Sequence, residues 1–361
     1  MRLLTKCLVI FLPFLGYGQV VSVAPLFPYQ SDSITLTYDA SLGNGELVGV
    51  SPVFAHSGLI YGTSSNWQNV QGNWGTADSS VLMQSSGNNL HSLSFHIPSY
   101  YGITGTSSSG PTALAFVFRN SAGSLVGRNS DQSDIYVPIY SSSSPLEVQW
   151  ASNKNIIETL PNTSLTLNAA SPILADFKVF VDGNLVFADS NTRSITPTVN
   201  IPNSLGIHSL VVQANQGSQS ATDSIILAVN NAVGVNQNVI IIPAYPTNQD
   251  TIDIVYDSLS GDRGTQGYIP LYLHTGVLTQ SSGANWQNVQ GNWGTDDNNV
   301  RLSHLGGGVW HKRLHVNSFF SLTSIASSAT HLAMVFRDSS GNYVGKTSSG
   351  GDILHPLGYS S

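Results

Sequence analysis

The chain has 361 residues, of which only 9% are charged and 41% are hydrophobic, and 13 basic against 20 acidic residues give a net charge of -7. That hydrophobic share is enough to build cores, so wholesale disorder is excluded, and the length suits two or three domains of roughly 100–150 residues each. No stripe of Lys and Arg is present to neutralise a phosphate backbone, so nucleic acid is not expected as a partner.

The N-terminus reads as an export signal of residues 1–19. Arg2 and Lys6 precede the apolar run Cys7-Leu8-Val9-Ile10-Phe11-Leu12-Pro13-Phe14-Leu15, and the small and polar Gly16-Tyr17-Gly18-Gln19 follow it. The run is too short for a stable membrane-spanning helix. Cys7 is the only cysteine and lies at the head of that run. The expected mature chain is therefore secreted or held at the cell surface, with no transmembrane segment, disulfide, thiol chemistry or lipid anchor.

From residue 20 to about 140 the pattern is that of a β-sandwich. Ser33-Ile34-Thr35-Leu36-Thr37-Tyr38 and Leu93-Ser94-Phe95-His96-Ile97 alternate apolar and polar residues, as half-buried strands do, while Ala115-Phe116-Val117-Phe118 reads as buried on both faces. Asn44-Gly45 and Ser121-Ala122-Gly123-Ser124 punctuate these runs as turns, and no stretch shows a helical period. Ser141-Ser142-Ser143-Ser144-Pro145 forms a polar linker. Residues 146–232 make a different unit, with Phe177-Lys178-Val179-Phe180-Val181 running into the tight turn Asp182-Gly183-Asn184. Its short strands at regular spacing predict an immunoglobulin-like spacer. A second polar linker is expected at Asn230-Asn231-Ala232-Val233-Gly234.

Residues 236–361 then repeat the first module. Asn66-Trp67-Gln68-Asn69-Val70-Gln71-Gly72-Asn73-Trp74-Gly75-Thr76 recurs unchanged as Asn285-Trp286-Gln287-Asn288-Val289-Gln290-Gly291-Asn292-Trp293-Gly294-Thr295. Around it, His56-Ser57-Gly58 matches His274-Thr275-Gly276, Val117-Phe118-Arg119 matches Val335-Phe336-Arg337, and Asp134-Ile135 matches Asp352-Ile353. The expected class is all-β: two repeated β-sandwich modules flanking an immunoglobulin-like one.

Catalysis is poorly supported by the residues. Glycoside hydrolysis needs two carboxyl groups across one bond, yet the chain has three Glu, namely Glu46, Glu147 and Glu158, and the second repeat has none of them. The shared acids Asp39/Asp257, Asp78/Asp297 and Asp134/Asp352 sit in strand-end and turn contexts, where Asp commonly caps its own backbone. His56/His274 and His96/His315 lack metal-ligand spacing, so no metal and no cofactor is expected, and no catalytic residue is assigned.

The aromatic loop carries the functional expectation. Flat Trp faces among amide side chains suit a sugar, whose C–H face packs on a ring while its hydroxyls pair with amides. The candidate ligand-binding residues are Trp67, Asn69, Gln71, Asn73 and Trp74 in the first repeat, and Trp286, Asn288, Gln290, Asn292 and Trp293 in the second. Either ring of a pair could instead plug the core, and at least one exposed ring per pair is expected.

The run from Val53-Phe54-Ala55-His56-Ser57-Gly58 through Trp67–Gly75 to Phe116–Gly127 and Ser133-Asp134-Ile135 resembles β-sandwich modules near the N-terminus of secreted alpha-amylase-family glycoside hydrolases of Gram-negative glycan-degrading bacteria. The resemblance covers both repeats. It implies a non-catalytic accessory unit of starch-binding type, a polysaccharide partner of the α-glucan class, and a catalytic domain as a downstream partner. It supplies no binding-residue set. A structural or adhesive surface protein, with the modules as spacers, is the alternative reading.

Overall fold

A computed structural model describes residues 20–104, 110–152, 154–234, 238–322 and 329–358. The expected signal peptide lies outside the described residues. The chain is all-β. The first repeat contains β1 (Val21–Ala24), β2 (Ser33–Asp39), β3 (Phe54–Tyr61), β4 (Gln68–Gln71), β5 (Gln84–Gly87), β6 (Leu90–His96), β7 (Pro111–Arg119), β8 (Val126–Gly127) and β9 (Ile135–Pro138). One sheet has the order β1-β2-β6-β5, and the other has β4-β3-β7-β8 with β9 also on β7.

Alternation decides which side chains meet between the sheets. Ile34, Leu36 and Tyr38 of β2 face inward and are buried, with the hydroxyl residues between them turned outward. They pack on Leu59 of β3 and on Leu114, Phe116 and Phe118 of β7 in one core. The Tyr38 ring stacks on Phe118 at 3.9 Å between centroids. Its hydroxyl reaches so far that a Cβ on Gly127 would lie 2.1 Å from the oxygen, which is why β8 carries glycine there.

The central unit comprises β10 (Gln149–Trp150), β11 (Ile156–Thr159), β12 (Ser164–Thr166), β13 (Ala169–Val181), β14 (Asn184–Ile195), β15 (Thr198–Asn200), β16 (Gly206–Gln216) and β17 (Gln219–Val229). Six of these form one sheet, β10-β13-β16-β17-β11 with β14 on β13, and β12 pairs with β15. Leu165 and Val199 of that smaller pair close the core over Phe177, Val179, Leu210 and Val212, giving an immunoglobulin-like sandwich. The two-residue turn Asp182-Gly183 joins β13 to β14 with positive φ at both positions, 50° and 77°, the geometry that suits the right-handed twist of a hairpin.

The second repeat runs through β18 (Val239–Ile242), β19 (Thr251–Asp257), β20 (Tyr272–Thr279), β21 (Gln287–Gln290), β22 (Ser303–Gly306), β23 (Val309–His315), β24 (Ala329–Arg337), β25 (Val344–Gly345) and β26 (Ile353–Pro356). It reproduces both sheets of the first, β18-β19-β23-β22 and β21-β20-β24-β25 with β26 on β24.

Each repeat also holds a one-turn helix that no periodicity announces, α1 (Ile97–Tyr101) and α2 (Val316–Phe320). Five residues are too few to show a 3.6-residue period. Among the described residues no helix is long and apolar enough to cross a membrane.

The three cores are joined unequally. Between the first repeat and the centre, Arg193 lies 3.7 Å from the Tyr29 ring centroid and donates to the Phe27 carbonyl, while Tyr29 donates to the Pro172 carbonyl. The second repeat is seated on an apolar face: Ala228, Ile242, Val255 and Val309 are buried together, with Ile156, Ile207, Ile226, Ile240 and Leu305 around them. Beside that seat Asn230 is buried, and its amide donates to Glu158 and to the Ile241 carbonyl. The segment opening at Asn230 is thus anchored at its first residue rather than solvated throughout.

Candidate functional site

The repeated aromatic segment crosses the outside of β3. Trp67 can pass this close because Gly58 lies beneath it: a Cβ there would stand 3.0 Å from the Trp67 Cβ and 3.2 Å from the Gln68 carbonyl oxygen. β4 then carries one residue more than β3 between the Ser57–Gln71 and Leu59–Gln68 pairs, and Asn69 takes up that bulge at φ 51°. Its side chain turns away from the tryptophans and donates to the Tyr101 carbonyl at 2.9 Å. Asn288 does the same in the second repeat, donating to Phe320 and Ser321 carbonyls.

His56 of β3 sits between the two indoles. Its ring stacks near Trp67, with centroids 5.8 Å apart and 27° between planes, and meets Trp74 edge-on at 5.2 Å and 87°. His274 repeats this with Trp286 at 5.7 Å and Trp293 at 5.0 Å. The Nδ1 of His56 is 2.9 Å from the Gly72 carbonyl, which can only accept, so Nδ1 carries the proton. Burial lowers the His56 pKa, the Gly72 carbonyl opposes that shift and Arg119 adds to it. The neutral ring therefore presents Nε2 as an acceptor, and Nε2 has no partner among the described residues.

The loop holding Trp74 is pinned from below by Arg119, which is fully buried at the end of β7. Its guanidinium donates to the carbonyls of Asn73 at 2.7 Å, Thr76 at 2.9 Å, Asn120 at 3.1 Å and Ser121 at 3.3 Å. Arg337 donates likewise to Asn292 and Asp338. Asp78 closes the loop by accepting from the Asn73 and Ser80 amides, and Asp297 accepts from Asn292 and Asn299. From the other side the turn after β7 covers the indole edge, for a Cβ on Gly123 would lie 2.7 Å from Trp74 Nε1.

So held, Trp74 and Trp293 are each 48% exposed, while Trp67 and Trp286 are half-buried. In the second repeat Trp286, Trp293, His274, Val335, Lys346 and Asp352 line a cleft of about 250 Å³. Lys346 and Asp352 form an ion pair at 3.1 Å, and the equivalent Arg128 and Asp134 are paired in the first repeat. Asp39 and Asp78 cap turns, accepting from the Ser41 and Ser80 amides, but Asp134 and Asp352 have a different setting, each bonded to a cation, and in the second repeat that pair lies beside the tryptophans.

The structure divides the candidate residues into two groups. The four tryptophans come together in pairs, and the side-chain amides of Asn73 and Asn292 make no hydrogen bond among the described residues. Asn69 and Asn288 serve the backbone of the short helices. Gln71 and Gln290 donate back to the carbonyls of Asn69 and Asn288, and Gln290 lines a separate cleft. Sequence reasoning weighed His56 and His274 only as metal ligands, read Asp134 and Asp352 as turn caps, and missed the two ion pairs. Their signal was a cation six residues before each shared Asp-Ile, Arg128 in one copy and Lys346 in the other.

No protein-family model and no curated protein matches the chain. Solved structures do. The chain is similar to Bacteroides uniformis beta-glucuronidase 3 at 13% identity over 60% of this chain and 25% of that one, TM-score 0.23. It is similar to the Clostridium thermocellum CbhA fibronectin(III)-like modules at 11% identity over 58% of this chain and 93% of that one, TM-score 0.21. A third similarity is to three N-terminal domains of the bacteriophage RB49 outer capsid protein Hoc, 12% identical over 94% of this chain and 98% of that one, TM-score 0.18. The chain thus spans a quarter of the length of the beta-glucuronidase chain. Likeness at these scores carries no argument about function.

Proposed function

We propose that the chain is a secreted, non-catalytic carbohydrate-binding region in which each repeat offers one site for a starch-like α-glucan, serving as the N-terminal accessory part of an alpha-amylase-family enzyme. The observation that carries this reading is the half-exposed Trp74 and Trp293, each meeting edge-on a histidine whose Nδ1 is held by a backbone carbonyl, in the same geometry in both repeats. A sugar ring packs its C–H face on such an indole, and its hydroxyls find His56 or His274 Nε2, the free Asn73 or Asn292 amide and the Arg128–Asp134 or Lys346–Asp352 pair. The cleft lining contains one carboxylate, Asp352, already bonded to Lys346, which favours binding over two-carboxylate hydrolysis. Export rests on the Arg2–Gln19 segment alone.

The test is affinity electrophoresis on starch, with maltoheptaose titrated in parallel. Stacking of this kind contributes about 1 kcal/mol or slightly more beyond buried area, so Trp74→Ala or Trp293→Ala weakens its own site by roughly fivefold to tenfold. Polymer binding falls further, because the chain loses the effective concentration supplied by its second site. The double variant, with both rings removed, no longer retards on starch while its thermal unfolding stays near wild type. Full retention by the folded double variant would reject the glycan reading. The spacer reading would then stand, and the apolar seat of the second repeat on the central unit favours it.

A further inference from the structure

The second repeat contains a cleft of about 380 Å³ that does not share a wall residue with the tryptophan site. It opens along β23. β22 pairs with β23 only at Val309, Trp310 and His311, so the edge from Lys312 to His315 is uncovered on that side. Gln290 at the end of β21, Asn299, and Ser318 and Phe319 of α2 form the facing wall.

The first repeat has the same backbone here but different chemistry. By strand register Lys312 opposes Ile254 as Leu93 opposes Leu36, and Leu314 takes the place of Phe95. In the first repeat Leu93, Phe95 and Tyr100 extend the hydrophobic core, with Phe95 and Tyr100 stacked at 4.2 Å. That fold accepts leucine, so lysine is not required by the architecture.

Lys312 lies on the inward side of β23, in alternation with buried Trp310 and Leu314, and is half-buried. Its one hydrogen bond is long, 3.4 Å to the Arg301 carbonyl, and among the described residues no carboxylate lies within ion-pair distance of it. Arg313 also lines the cleft, but its charge is already paired with Asp253. Burial works against the Lys312 charge and Asp297 only partly offsets this. A half-buried cation with spare donors is stabilised when an anion completes its coordination.

We propose that this cleft binds a saccharide bearing a carboxylate, a hexuronate unit, with Lys312 holding the carboxylate and Phe319 supporting the sugar ring. Asn299, Gln290 and Ser318 supply donors and acceptors for ring hydroxyls, and Phe319 gives an apolar wall that a bare inorganic anion would not use. The second repeat then reads an acidic sugar in addition to the neutral glycan proposed for the tryptophan clefts.

The experiment titrates the full chain with methyl glucuronide, methyl glucoside and sodium acetate, following the backbone amide resonances of Asn299, His315 and Ser318. Methyl glucuronide is expected to shift these signals saturably, and methyl glucoside and acetate at least about tenfold more weakly, since a charge-assisted contact and the ring contact are both needed. Lys312→Leu, which installs the side chain the first repeat already folds with, should weaken methyl glucuronide by about tenfold or more and leave the thermal midpoint unchanged or raised. Lys312→Gln keeps reach and polarity without charge and should show the same loss. Trp293→Ala should leave methyl glucuronide binding intact, which separates this site from the α-glucan site. Undiminished binding in either Lys312 variant overturns the proposal. So does acetate binding as tightly as methyl glucuronide, or an absence of shifts with methyl glucuronide in the wild-type chain.

Discussion

One hydroxyl separates two otherwise superimposable core positions. Tyr38 and Tyr256 both stack on a β7-type phenylalanine, at 3.9 Å on Phe118 and 3.7 Å on Phe336, and both aim their oxygen at a glycine, Gly127 or Gly345. The Tyr256 hydroxyl bonds Thr265 Oγ1 at 2.7 Å. In the first repeat Leu47 occupies the equivalent place, and the Tyr38 hydroxyl is buried without a partner among the described residues. Burial raises the pKa of both phenols, and for Tyr38 the nearby Asp39 and Glu46 add to the shift. An unsatisfied buried hydroxyl costs free energy, whereas a satisfied one contributes about 1 kcal/mol. Tyr38→Phe is therefore expected to be neutral or stabilising, and Tyr256→Phe to destabilise its module by about 1 kcal/mol with Thr265 left unpaired. Urea unfolding of the two variants followed by module-specific resonances checks this, and equal losses in both would contradict it.

At the level of elements, the loop between β4 and β5 owes its shape to the last residue of β7. Arg119 has no carboxylate in ion-pair contact among the described residues, and its four carbonyl partners come from two separate turns, so it couples the tryptophan loop to the turn that covers it. Arg119→Met should leave those carbonyls without their donor, destabilise the first repeat by about 2–4 kcal/mol, and raise the acrylamide quenching of the already half-exposed Trp74. An unchanged midpoint and unchanged quenching would show that the loop holds itself. The strands of both repeats were legible, because Ile34, Leu36 and Tyr38 alternate with hydroxyl residues and one buried face imposes that period. The one-turn helices were not, being shorter than any period. The tryptophan pairs were legible through exact internal repetition. The histidine between them was not, since its role depends on a cross-strand meeting of residues 56, 67 and 74 that no local pattern encodes. Asn69 and Asn288 looked like ligand amides because side-chain direction at a bulge cannot be read from spacing, and their left-handed backbone sends them toward α1 and α2.

Across the whole molecule, the two repeats differ on the outer face of the sheet opened by β1 or β18. Val21-Ser22-Val23-Ala24 alternates, whereas Val239-Ile240-Ile241-Ile242 is apolar on both faces, and Thr37 of β2 is replaced by Val255 of β19. A strand apolar on both faces needs cover on both. The cover is the central sheet, through Ala228 with Ile207 and Ile226. Each aliphatic side chain buried there contributes about 1.5–3 kcal/mol, so the contact couples the two units by several kcal/mol, while the first repeat is joined mainly through Tyr29 and Arg193. Calorimetry of the full chain should then resolve one transition for the first repeat and a shared, larger one for the central unit with the second repeat. Replacing Ile240→Ser and Val255→Thr together transplants the outer face of the first repeat, whose fold tolerates those residues, so the second repeat keeps its own core. The shared transition should split in two, with the second repeat melting at a lower temperature than before. Three separate transitions already in the wild-type chain, or a shared transition that survives both substitutions, would show that the apolar seat does not couple the units.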